Sequence, residues 1–203
     1  MPRPTYPQSP LTALNLGALR RRRSAKWSTY PPDVLPLWVA EMDTPLAEPI
    51  QAALHEAVER GDTGYPVPGR LPEAYAGFAG QRFGWHPQVR AMALVPDVMQ
   101  GIAAVLAAVT EPGSAVVINP PVYPPFFSVP PLAGWRLVEC PLVPEHGRFG
   151  LDLDRLATDL AWPEVGAYLL CNPHNPTGTV FTRPELLAVA ELAERHRVRY
   201  GYG

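Results

Sequence analysis

From residue 98 onward, short apolar runs alternate with stretches of helical period, and this alternation limits the folds open to the chain. "SAVVINP", "WRLVEC" and "VGAYLLCNP" have strand length and end at Pro, Cys or Asn. "VMQGIAAVLAAVT" sets Val98, Ile102, Val105, Leu106 and Val109 in one stripe, with Asp97 placed to cap it. "LDLDRLATDLA" reads as a helix begun at Asp152. Thr182 and Glu185 form a capping box ahead of "LLAVAELAERH". "RVRYGYG" starts like a further strand. Strands alternating with helices predict an α/β fold, a mostly parallel sheet flanked by helices. In such sheets ligands bind beyond the carboxyl ends of the strands.

Two helices precede this region. "EPIQAALHEAVERG" aligns Ile50, Ala53, Leu54, Ala57 and Val58, and Gly61 stops it. "LPEAYAGFAGQRFGW" aligns Leu71, Ala74, Tyr75 and Phe78. Residues 1–48 hold no long period. "YPPDVLPLWVAEMDTPLAEP" predicts an ordered arm with its aromatics buried.

Composition supports one core: 47 % of the 203 residues are apolar and 18 % are charged. A net charge of -2 gives no general case for nucleic acid or an anionic membrane. The run Arg20-Arg21-Arg22-Arg23 reads as a solvated helix face. No apolar run reaches the ~18 residues of a membrane span. Cys140 and Cys171 stand apart, without CxxC spacing, as buried reduced thiols of a cytoplasmic protein. Proline occurs 27 times, and lysine once, at Lys26.

Four places stand out chemically. In "CNPHNPTGTV", Pro173 and Pro176 stiffen a strand-end loop that presents the carboxamide of Asn175, a donor and an acceptor. In "NPPVYPPF", Tyr123 is held between prolines, as a stacking face or as packing. The first-turn amides after Asp97, those of Val98, Met99 and Gln100, suit a phosphate. Tyr65 lies on the turn-rich loop "GDTGYPVPG". His55, His86, His146, His174 and His196 show no metal-ligand spacing, and no Ser-His-Asp set or acid–base carboxylate pair is evident.

Together these stretches resemble the fold-type I pyridoxal phosphate (PLP) enzymes. The closest resemblance is to the cystathionine beta-lyase, or C-S lyase, branch of the class I/II aminotransferases. It rests on "KWSTYPPDVLPLWVAEMDTPLAEPI", "GDTGYPVP", "VPDVMQGIAAVL", "INPPVYPPFF" and "LLCNPHNPTGTVFTRPEL", in the family's order. It implies an N-terminal arm and small-domain segment over 1–48 and an incomplete PLP-binding large domain over 49–203. Val98 and Met99 match the residues whose amides hold the cofactor phosphate. Tyr123 matches the ring that stacks on the pyridine, and Asn175 the contact to its phenolic oxygen. Tyr65 matches the tyrosine that reaches the partner subunit's cofactor, which implies a homodimer. Ala40 and Glu41 match the loop beside a small amino-acid substrate. The implied reaction is β-elimination of cystathionine or cysteine-like substrates to a thiol, pyruvate and ammonia. Aminotransfer is the alternative that shares these residues.

The resemblance also implies residues that this sequence does not hold: the Schiff-base lysine, the aspartate that pairs with the pyridine nitrogen and the arginine for the substrate carboxylate. Lys26 matches the arm's "KW" and not the lysine loop. The expectation is a truncated, inactive member, or a non-catalytic fragment. Four sheet strands should be present and a fifth begun, with strand edges and apolar helix faces uncovered.

Overall fold

The computed structural model describes residues 9–145 and 147–202. The chain divides into two compact units, 1–69 and 70–203.

In the first unit, α1 (Leu16–Leu19) and α2 (Ala25–Ser28) are single turns, and α3 (Glu48–Glu59) is the one long helix. Asn15 caps α1, accepting from the Ala18 amide at 2.9 Å. The arginine run is not a helix face. Residues 20–23 leave α1 as a turn, and the Arg22 guanidinium donates to the carbonyls of Thr44 (2.6 Å) and Met42 (3.2 Å). The arm's aromatics are not buried either: Tyr30 and Trp38 meet edge to face and stay half exposed. The physical reason lies in the prolines. Pro31, Pro32, Pro36 and Pro45 take away backbone donors. Side-chain donors from residues 22–27 bind the 41–44 backbone instead. The helix over 48–59 forms as its period predicts, and its apolar face, Ile50, Leu54 and Val58, lies open.

The second unit opens with α4 (Leu71–Phe83), ended by Gly84 at φ 64°, where a left-handed cap suits glycine. It continues through α5 (Val98–Val109), β1 (Ala115–Ile118), α6 (Pro125–Leu132), β2 (Arg136–Glu139), a hairpin of β3 (Val143–Glu145) and β4 (Arg148–Gly150), α7 (Leu153–Leu160), β5 (Val165–Leu170), α8 (Arg183–His196) and β6 (Arg199–Tyr202). The main sheet has the order β2-β1-β5-β6, and every neighbouring pair is parallel. Side chains alternate across it. Val116, Ile118, Ala167 and Leu169 face one core with Ile102 and Leu106 of α5 and Phe126 of α6. Ala115, Val117, Tyr168 and Leu170 face the other, with Leu156 and Leu160 of α7 and Val189 of α8. Helices therefore cover both faces, and the central strand β1 is buried throughout.

The strand count corrects the expectation. Among the described residues the parallel sheet holds four strands, and "RVRYGYG" supplies the fourth as a full sheet member, at the edge. The hairpin β3–β4 and the proline-bearing α6 have no counterpart in the sequence reading. Beside the open edge lies an apolar groove of about 500 Å³, lined by Val95, Val98, Ile102 and Val105 on one side and Leu169 and Tyr200 on the other. No described helix is long and apolar enough to cross a membrane.

Candidate active site

Parallel strands deliver their following loops to one edge of the sheet. β1 and β5 are neighbours, so residues 119–124 and 171–178 leave the sheet side by side. Asn119 staples them. It donates from Nδ2 to the Cys140 carbonyl (2.8 Å) and accepts from the hydroxyl of Tyr168 within β5 (2.6 Å), so one buried residue ties the starts of the loops after β1 and β2 to β5. The peptide bonds before Pro121, Pro173 and Pro176 are cis.

Within this frame Tyr123 lies just before α6. Its ring is partly exposed and meets Phe126 edge to face at 6.3 Å. Asn175 lies at the tip of the second loop, exposed, and its carboxamide makes no hydrogen bond among the described residues. Its backbone amide is held by the Cys171 sulfur at 3.4 Å. The loop then closes on itself: the His174 amide donates to Thr179 and the Gly178 amide to His174, both at 2.7 Å. Gly178, at φ 72°, allows that return. Asn172 Oδ1 accepts from the Phe181 amide, and Thr179 Oγ1 donates to the Phe149 carbonyl. The β3–β4 hairpin so braces the loop from outside.

The connection from α5 to β1 is short, so α5 runs back along the sheet and starts at the edge where the strands end. Asp97 Oδ1 accepts from the Gln100 amide at 2.9 Å. That cap satisfies one first-turn donor, and the amides of Val98 and Met99 have no partner among the described residues. The Gln100 amide, grouped with them on sequence grounds, belongs to the cap. Met99 packs against the same core as Phe126 and Cys171. Two free amides at a helix N-terminus suit an anion, an exposed aromatic suits a flat ring, and a free carboxamide suits a ring oxygen. This donor set fits PLP.

Tyr65, Ala40 and Glu41 belong to the first unit. Tyr65 is fully exposed on its loop. Glu41 Oε1 accepts from Ser24 Oγ at 2.7 Å, and its carbonyl accepts from Lys26 Nζ at 2.8 Å. Lys26 is 6 % exposed and pairs with Asp43 at 2.7 Å, while Trp27 Nε1 donates to the other Asp43 oxygen at 2.8 Å. The Lys26 hydrogen bond, with help from Trp27 and the nearby charges, holds the Asp43 carboxyl below its usual range despite partial desolvation. Sequence reasoning set Lys26 aside without a role. The structure gives it one, as the anchor of residues 41–43. Of the histidines, His55 and His86 are exposed, His174 is buried, and His146 lies outside the described residues.

Comparison with known proteins gives the chain a family. The aminotransferase class I and II family profile matches residues 32–200. A Mycobacterium leprae protein, provisionally assigned as a cystathionine beta-lyase, is 49 % identical over 200 residues, covering 94 % of this chain and 49 % of its own length. Cystathionine beta-lyase PatB of Bacillus subtilis is 37 % identical over 167 residues, 82 % of this chain and 43 % of its own. A solved structure from Corynebacterium diphtheriae, provisionally assigned as a PLP-dependent beta-cystathionase, superposes with a TM-score of 0.83 at 31 % identity, covering 93 % of this chain and 49 % of that one. The chain spans about half the length of the curated relatives it matches. It belongs to the aminotransferase class I and II family, whose members depend on PLP.

Proposed function

We propose that these residues form the cofactor cradle of a PLP-dependent C-S lyase, which releases a thiol, pyruvate and ammonia from cystathionine or a cysteine-like amino acid. The observation that carries this is the shared sheet edge: Tyr123 and Asn175 follow neighbouring parallel strands, and α5 begins at the same edge with two free amides. When bound, PLP supplies an electron sink for an amino acid that has lost its α-proton. The chain's own residues bind and orient. The Val98 and Met99 amides hold the phosphate, the Tyr123 ring covers the pyridine, and the Asn175 carboxamide donates to the phenolic oxygen. Within the first unit, Glu41 is kept in place by Ser24 and Lys26. Tyr65, exposed on its loop, reaches the phosphate of a second copy in a homodimer. The compartment is the cytoplasm, in keeping with two buried, unpaired thiols.

Lys26 is not the residue that bonds the cofactor. Its ammonium is buried and committed to Asp43 and the Glu41 carbonyl. For these 203 residues alone we expect PLP binding without turnover.

The test is equilibrium dialysis of the chain against PLP, followed by borohydride reduction and peptide mapping. Binding should saturate and fall roughly three- to tenfold in Asn175→Ala, the size of one hydrogen bond. No reduced cofactor should appear on Lys26. Binding indifferent to Asn175 and Tyr123, or a cofactor fixed to Lys26 with pyruvate released from L-cystathionine, contradicts the reading. In a longer form of the protein, pyruvate release rather than a transferred amino group separates lyase from aminotransferase.

A further inference from the structure

His174 is 1 % exposed, and the binding contacts above leave it unused. Its ring lies between the two strand-end loops. Nδ1 is 3.1 Å from the Cys171 carbonyl oxygen, and Nε2 is 2.9 Å from that of Pro121. The neutral ring has one N–H to give, and the doubly protonated ring has two. Phe181 sets the ring's tilt, edge to face at 5.8 Å and 78°. The backbone on either side of His174 is fixed by the bonds that close its own loop.

A side chain is needed here for a simple reason. Pro120, Pro121, Pro173 and Pro176 have no N–H, so the two loops lack the donors that would tie backbone to backbone. Both groups facing the ring are carbonyl acceptors, so the imidazole ties the two loops together through an Nε2–H that donates to Pro121, while Nδ1 faces the Cys171 carbonyl of its own loop. Tyr123 lies two residues beyond one end of this bridge, and Asn175 one residue beyond the other.

We propose that His174 is a positioning residue: it fixes the Tyr123 loop against the Asn175 loop so that both side chains meet one ligand ring. The proposal rests on the cofactor reading above. It also makes a claim about the free chain that needs no cofactor.

Two variants test it in the full chain. His174→Phe keeps the ring size and removes both nitrogens, and His174→Gln keeps a donor. The first readout is amide hydrogen exchange. The Leu142 amide donates to Pro120 and the Gly178 amide to His174, so each reports one loop. Both should exchange roughly tenfold faster in His174→Phe, with β5 unchanged and partial recovery in His174→Gln. Unchanged exchange at both amides overturns the proposal. The second readout is dialysis against PLP. His174→Phe should bind roughly three- to tenfold more weakly, and Tyr123→Ala and Asn175→Ala should each cost less in that background than in the parent. A merely structural histidine lowers stability and leaves those two costs unchanged, which also overturns the proposal. If the parent chain takes up no PLP, the cofactor reading fails, and the exchange readout still decides the role of His174. If His174→Phe does not fold, His174→Gln carries both readouts.

Discussion

Replacing Lys26 with Met isolates the ion pair that anchors residues 41–43. The thioether keeps most of the stem's volume and removes two hydrogen bonds, to Asp43 at 2.7 Å and to the Glu41 carbonyl at 2.8 Å. Asp43 keeps its bond from Trp27 and the Arg22 guanidinium at 4.0 Å. Its side chain is 32 % exposed, so water replaces part of what is lost. The ~3–5 kcal/mol of a fully orphaned buried charge is therefore too large. A charge-assisted hydrogen bond contributes ~1.5–3 kcal/mol, and solvent access places this site near the lower half, about 2 kcal/mol. That corresponds to roughly thirtyfold faster opening. The amides of Trp27 and Ser28, which donate to Ser24, and of Thr29, which donates to Ala25, report it by hydrogen exchange. The sign with pH follows from the lowered Asp43 value. Its contribution is complete above the unfolded value near 3.8 and is lost as pH falls through the folded one. Protection of α2 should hold at neutral pH and drop below about pH 4. Lys26→Met should blunt that step. Exchange within about threefold of the parent at neutral pH refutes the reasoning, because the anchor would then contribute less than one ordinary hydrogen bond.

Other perturbations read other parts of the fold. Thr182→Ala removes the capping box of α8 and should destabilise the second unit by about 1 kcal/mol in urea unfolding. Glu185 feels burial, which raises its pKa, but the Thr182 and Arg148 hydrogen bonds outweigh this and leave it below the usual 4.5. Its share of stability should therefore be full at neutral pH and lost as acid protonates it, as urea midpoints on either side of pH 4.5 would show. Gly166→Ala drives a Cβ to 3.0 Å from the Ser114 side chain and 3.3 Å from Thr110, and should cost ~1–3 kcal/mol by the same measurement. Burial first, then the charges of Asp159 and Asp152, pushes the Cys140 thiol up to about 12, so a thiol reagent at pH 8 should leave it unmodified until the chain unfolds.

The sequence was legible where local chemistry and tertiary structure agree. Asp97, Asp152 and Thr182 start their helices with the capping bonds their side chains predict. The apolar runs at 115–118, 136–139 and 165–170 became strands because both faces of β1 and most of β5 are covered. It was misleading where proline density hides the partner of a donor. "PFFSVPPL" has no element in the sequence reading, yet it forms an eight-residue helix: Pro125 suits the first turn, and Phe126 and Pro130 supply its buried face. The arm looked like an apolar strap, and its order comes instead from Arg22, Ser24, Lys26 and Trp27 reaching residues 41–44. At the candidate site, the residue types and their strand-end placement were visible. The bridging role of His174 was not, because it depends on the carbonyl of Pro121, 53 positions away in the chain. Nor was the division of labour at α5, where Asp97 takes the Gln100 amide and leaves those of Val98 and Met99.

The central claim is that one sheet edge offers an anion site, a ring face and a carboxamide to the same molecule of PLP. An assigned amide NMR titration of the chain with PLP tests this most directly. The account predicts that the backbone amides of Val98 and Met99 and the side-chain amide of Asn175 shift together, with one dissociation constant, while the amides around Lys26 stay in place. Shifts that gather at Lys26, or that leave Val98, Met99 and Asn175 unmoved, would contradict it.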